Sequence, residues 1–141
     1  MGLDQPIIVD TDFLSDYLAG ANSAKKTMYD LLKEGMYIVT TVITASELYF
    51  GSYRRKWQQK RVQILEQLLS SLIVLPFTKD HTNEYGKLRA LLVDQGIDIG
   101  FADTVIAAIA KIENIPVLTA NIKHFERIEE LTIRPYLHLD F

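Results

Sequence analysis

Cysteine is absent from the 141 residues. That excludes a disulfide framework, thiolate chemistry and sulfur-ligated zinc, and it agrees with a cytoplasmic location. Any metal site must use oxygen or imidazole ligands, which favours Mg²⁺ or Mn²⁺. Long apolar runs are missing as well. The stretch from Val105 to Ile112 includes Lys111 and falls far short of the roughly 20 residues that cross a bilayer, so no membrane association is expected. No basic segment followed by an apolar run precedes Ile7, so no secretory signal is expected either. The four prolines and seven glycines are scattered and build no linker. There is no internal repeat and no low-complexity tract. The expectation is one domain over residues 1–141, long enough to bury a core without staples.

Hydrophobic residues make up 48% of the chain, too many for a disordered one. The net charge is −3, but it is unevenly spread. Arg54, Arg55, Lys56, Lys60 and Arg61 are five of the 15 basic residues and fall within one short stretch, leaving ten against 18 acidic ones elsewhere. An acidic body with one basic strip does not coat DNA, but it can grip a polyanion locally.

The first strong pattern is Ile7-Ile8-Val9-Asp10-Thr11-Asp12. A β-branched run suits a strand buried on both faces of a parallel sheet. Thr11 or Asp12 is expected to cap the helix suggested by Phe13, Leu14, Tyr17 and Leu18. Asp10 would then end the strand, where open α/β sheets gather their ligands, or it would merely start a turn or cap a helix. Further along, a helix is expected over Lys25–Lys33 and a strand over Tyr37–Thr40. A helix over Thr41–Phe50 carries Glu47 and should stop at Gly51. A long helix follows, with Trp57, Ile64, Leu65, Leu68, Leu69 and Leu72 on one apolar stripe and the basic strip on its solvated face. Leu72–Leu75 reads as a third strand. Thr78 caps a helix ending at Gly96, and Ala102–Glu113 is alanine-rich, suited to close packing on a sheet. Val117–Thr119 and Thr132–Arg134 complete the strands. Short β-branched strands alternating with helices imply a three-layer α/β/α domain with a central parallel sheet.

In that fold Asp10 follows the first strand, Glu47 sits on the helix after the second, Asp103 lies in the first turn of the alanine-rich helix and Asn121 follows the strand ending in Thr119. Several carboxylates crowded together cannot all stay charged without a cation, and a divalent metal would resolve the conflict and supply a catalyst. A run of Asp10-Thr11-Asp12 after a strand is also how haloacid-dehalogenase-like phosphatases present a nucleophile. Those need a later acidic pair, and Glu129-Glu130 lies in the polar tail. A third possibility is a binding module that keeps the fold without turnover.

The chain resembles the PIN domains, and more narrowly the VapC-type toxin ribonucleases. The resemblance rests on Val-Asp-Thr-Asp-Phe-Leu at 9–14, Thr-Ala-Ser-Glu-Leu-Tyr-Phe-Gly at 44–51, Ile-Gly-Phe-Ala-Asp-Thr-Val-Ile-Ala-Ala at 99–108 and Val-Leu-Thr-Ala-Asn-Ile-Lys-His-Phe at 117–125. It implies an acidic quartet at Asp10, Glu47, Asp103 and Asn121, with Asp10, Glu47 and Asp103 holding Mg²⁺ or Mn²⁺. At the fourth position many members have aspartate, whereas this chain has asparagine, which offers a carbonyl oxygen and removes a charge. The resemblance further implies RNA hydrolysis leaving a 5′-phosphate, a homodimer, and a VapB-like antitoxin. Thr11 and Thr119 could orient a carboxylate or simply cap. Asp98 could reach the site or brace the turn before the alanine-rich helix. Arg54, Arg55 and Lys56 are candidate RNA contacts. His81, His124 and His138 lack helical pairing for a metal site, and only His124, near Asn121, adjoins the expected cleft.

Overall fold

The computed structural model describes residues 5–137; His138 lies outside them. Strands β1 (Gln5–Val9), β2 (Met36–Thr41), β3 (Ile73–Leu75), β4 (Val117–Thr119) and β5 (Ile133–Pro135) form one sheet. Its order is β3-β2-β1-β4-β5 and every pairing is parallel. The helices are α1 (Thr11–Leu18), α2 (Asn22–Lys33), α3 (Val42–Tyr53), α4 (Gln58–Ser70), α5 (Lys79–Asp94), α6 (Phe101–Glu113) and α7 (Ile122–Phe125).

The sheet faces explain the β-branched runs. Ile7 and Val9 pack with Phe13, Leu14, Met28, Leu48 and Leu65 on one side, and Ile8 packs with Leu88, Leu92, Ile106, Ile109 and Phe125 on the other. Because β1 is covered on both faces, all three of its aliphatic residues are fully buried. The α/β/α layering expected from the sequence is present. In α6 every residue from Thr104 to Ala110 is buried, and alanines at 107, 108 and 110 let this helix lie close to its neighbours.

Chain order places the site. The chain runs outward from β1 to β2 to β3, then returns to the opposite side of β1 to form β4 and β5. The topological switch point lies between β1 and β4, where helices leave in opposite directions and a crevice opens at the strand ends.

Four local expectations need correction. Asp10 itself, rather than Thr11 or Asp12, is the N-cap of α1, because its extended backbone lets the carboxylate reach the Phe13 amide. Gly51 does not end α3; the helix continues to Tyr53, since the cost of a mid-helix glycine, about 1 kcal/mol, is too small to break a well-packed helix. Trp57 leaves the apolar stripe. It adopts a left-handed conformation (φ 62°) ahead of α4 and stays 78% exposed. Arg54, Arg55 and Lys56 therefore lie in the α3–α4 connection and not on a helix face.

Close packing of α6 gives a first prediction. Ala108→Leu should destabilise the fold by about 1–3 kcal/mol in urea unfolding, through overpacking. Unchanged stability would mean that α6 lies farther from its neighbours than described.

Candidate active site

Asp10 ends β1 and is 1% exposed. Its backbone N–H donates to the Leu118 carbonyl on β4. One carboxylate oxygen accepts from the Phe13 amide at 2.9 Å and caps α1. The other accepts from the Thr119 hydroxyl at 2.6 Å. Thr119 Oγ1 accepts in turn from the Asn121 amide at 2.8 Å, so one hydroxyl ties the end of β4 to the end of β1. Burial raises the Asp10 pKa from 3.8 to about 6; the Thr119 and Phe13 hydrogen bonds pull the other way, and the negative charges of Asp103 and Asp12 add to the rise.

Asp103 stands in the first turn of α6, behind an N-cap glycine with φ 88°, Gly100. Its carboxylate is largely buried and its pKa is also raised, chiefly by desolvation, against the lowering effect of His124. His124 Nδ1 lies 3.1 Å from Asp103 Oδ2. The Asn121 side-chain amide donates to Asp12 Oδ2 at 3.1 Å and lies 3.5 Å from Asp103 Oδ2, a long contact. Asn121 thus bridges two carboxylates that would otherwise repel.

A cleft of about 270 Å³ at this edge is lined by Thr11, Asp12, Glu47, Gly100, Asp103 and Asn121, among others. Glu47 reaches it from α3 and is exposed, whereas Ser46 turns away to bond the Val42 carbonyl. Thr11 Oγ1 meets Thr44 Oγ1 at 3.0 Å and links α1 to α3. Asp98 is not in the lining; it accepts the Gly100 amide at 2.9 Å and holds the turn before α6. Of the basic strip, Arg55 and Arg61 line an adjoining groove, whereas Arg54 lies over the Phe50 ring. Sequence reasoning had set Asp12 aside as a cap and gave His124 no partner. The usable signals were local: Asp12 lies in the first turn of the helix that Asp10 caps, and His124 lies one helical turn beyond Asn121.

Among the described residues, no group of three or more His, Asp or Glu side chains is placed to hold a metal ion. The donors are nonetheless hard oxygens around two desolvated carboxylates whose charge nothing fully offsets. An open, oxygen-only set fits Mg²⁺, which is usually bound through one or two carboxylates and keeps several waters. Asp10 and Asp103 are the carboxylates that could hold such an ion; Asp12, Glu47 and Asn121 line the same cleft as Asp103, whereas Asp10 lies buried outside that lining.

The family model described as PIN domain matches residues 7–131. The chain is 37% identical over 131 residues to the ribonuclease VapC of Rickettsia bellii, covering 90% of this chain and 93% of that protein. It is 34% identical over 86 residues to the ribonuclease VapC2 of Haemophilus influenzae, covering 61% of this chain and spanning 65% of that relative's length. Among solved structures, the VapBC2 complex of Rickettsia felis, bound to a DNA fragment from its promoter, superposes with a TM-score of 0.84 at 28% identity, covering 94% of this chain and all of that one. The chain belongs to the PIN-domain family and, within it, to the VapC group.

A pH dependence follows from Asp10. Between pH 3.8 and about 6 the folded protein keeps the Asp10 proton while the unfolded chain has lost it. Folding stability of the metal-free protein therefore falls as pH rises through this window, by on the order of 2–3 kcal/mol from this group, and the penalty is complete above it. Asp10→Asn, which preserves a good cap, should flatten that part of the profile and leave the fold equally or more stable near neutral pH. Urea unfolding of both proteins without metal checks this; parallel pH profiles would contradict it.

Proposed function

We propose that the chain is a metal-dependent endoribonuclease, a VapC-like toxin that cleaves single-stranded or looped RNA. The observation that carries the proposal is the pair of desolvated carboxylates, Asp10 buried after β1 and Asp103 lining the cleft together with Asn121 and Glu47. A bound Mg²⁺ or Mn²⁺ would supply an activated water and offset charge on the phosphoryl oxygens. The chain's own residues prepare that step. Thr119 and the Phe13 amide fix both Asp10 oxygens, so the carboxylate needs no reorientation when charge develops. Asn121 and His124 hold Asp103 from its outer side. Glu47, exposed on the opposite wall, is free to accept a proton from water or to steady the cation through one. Cleavage would leave a 5′-phosphate and a 3′-hydroxyl.

An open cleft this small suits unpaired RNA, whose bases can be splayed, better than a duplex whose deep groove side chains cannot enter. Arg54, Arg55 and Lys56 at the α3–α4 connection would contact flanking phosphates. Membership of the VapC group, together with the VapBC2 complex of the Rickettsia felis relative, supports a VapB-like antitoxin as regulator, and we propose a homodimer as the working unit. Such a protein would act in the cytoplasm; among the described residues no helix is long and apolar enough to cross a membrane.

Purified protein should cleave RNA in Mg²⁺ or Mn²⁺ and stop in EDTA. Asp103→Asn should lower activity by at least roughly 10–100-fold, the loss typical of even an outer partner of a metal site. Undiminished cleavage in chelator, or wild-type turnover by Asp103→Asn, would overturn the assignment.

The fourth position has its own test. Asn121→Asp places a third carboxylate against Asp12 and Asp103, so the metal-free protein should lose stability and Mn²⁺ affinity should rise. Calorimetric titration of both proteins reads the affinity directly. Equal affinities would mean that residue 121 does not face the cation.

A further inference from the structure

The acidic cleft poses an electrostatic difficulty for the substrate proposed above. Carboxylates repel the polyanion they are to cut, and a metal relieves this only at the scissile phosphate. Productive binding needs cations a nucleotide or two away. Arginines beside the cleft can supply them. A groove of about 140 Å³ next to the cleft is lined by Thr11, Ser15, Glu47, Ser52, Arg55 and Arg61 with a few apolar neighbours. Thr11 and Glu47 line both cavities, so the groove is a continuation of the cleft. Among the described residues neither arginine has a carboxylate partner, although six ion pairs form elsewhere. Arg61 is preset for a ligand. Its Nε donates to the Lys56 carbonyl at 2.9 Å, which fixes the guanidinium and leaves its terminal N–H groups available.

Arg61 also lines a second hollow, of about 490 Å³, with Trp57, Lys60 and Ile64. The Trp57 indole is 78% exposed, and its left-handed backbone, costly for a bulky side chain, sets it outside the α4 packing stripe. An aromatic face flanked by two cations without carboxylate partners, joined through Arg61 to a groove that Glu47 shares with the cleft, has the make-up of a single-strand binding track.

We propose that Arg55 and Arg61 hold a phosphate flanking the scissile bond and that Trp57 stacks on the adjoining unpaired base. The inference rests on the ribonuclease reading and adds a nucleotide subsite to it. Stacking is tolerant of base identity, so this subsite selects for unpaired RNA more than for sequence.

The test uses full-length protein carrying Asp103→Asn to prevent cleavage, and a fluorescein-labelled single-stranded RNA of about a dozen nucleotides, within known single-strand site sizes. Trp57→Ala should weaken binding by about 5–100-fold, and Trp57→Phe should recover most of the loss. The same oligomer made abasic should bind independently of Trp57. Arg55→Gln with Arg61→Gln should weaken both oligomers and reduce the salt slope by about 1 unit. Thermal unfolding of each variant confirms that it folds. Unchanged affinity of Trp57→Ala for the base-containing RNA overturns the stacking site. Unchanged affinity accompanied by conversion of a dimer to a monomer in sedimentation overturns it too, and assigns Trp57 to a protein contact. An unchanged salt slope overturns the phosphate site. Failure of the ribonuclease reading is separately visible, as wild-type protein that neither cleaves RNA in Mg²⁺ nor binds it.

Discussion

The buried carboxylate of Asp10 joins the elements that make the site. The apolar run before it drives β1 into the middle of the sheet, and the carboxylate is carried inside with it. Once there it needs partners, and it takes one from each neighbour: the Phe13 amide at the start of α1 and the Thr119 hydroxyl at the end of β4, a residue 109 positions away. A helix start and a strand pairing thus depend on one side chain. Two good hydrogen bonds do not fully repay the desolvation, so the carboxyl is held at about 6. The fold keeps a group that is only partly content in its ionised form, a property that the proposed cation site would use.

The other components relieve or exploit that tension. Asp103 enters at the amino end of α6, where the helix dipole favours negative charge but burial opposes it. Asn121 stands where the resemblance read from the sequence implies an acid in many members, and its amide donates toward Asp12 and Asp103. In the metal-free protein that substitution lowers repulsion; in a loaded site it would withhold one charge from the ion. Arg54, Arg55 and Lys56 lie in the α3–α4 connection, and none of them lines the cleft. There they can attract phosphates without neutralising the carboxylates.

Much of this was legible in the sequence because it depends on local pattern. The runs Ile7–Val9, Tyr37–Thr40 and Val117–Thr119 marked the central strands, and the alanine-rich stretch marked α6. Parallel order then followed from the helices between strands, and with it the gathering of Asp10, Asp103 and Asn121 at one edge. Local pattern misled wherever a backbone conformation or a distant partner decided. Trp57 has the spacing of a core residue, yet a left-handed turn sets it in solvent. For Asp10 the sequence left a ligand and a cap as alternatives, and its hydrogen bond to the Phe13 amide shows the cap. Hydrogen bonds from Asn121 to Asp12 and from His124 to Asp103 span elements far apart in the chain, and no spacing rule encodes them.

The central claim is that Asp10 is a desolvated carboxylate whose charge a divalent cation completes. Carbon-13 carboxyl shifts of the protein, followed through a pH titration with and without Mg²⁺, report its ionisation directly. The account predicts an Asp10 midpoint near 6 in the metal-free protein, moving to clearly lower pH when Mg²⁺ is present. A midpoint near the ordinary 3.8 in both conditions would contradict it.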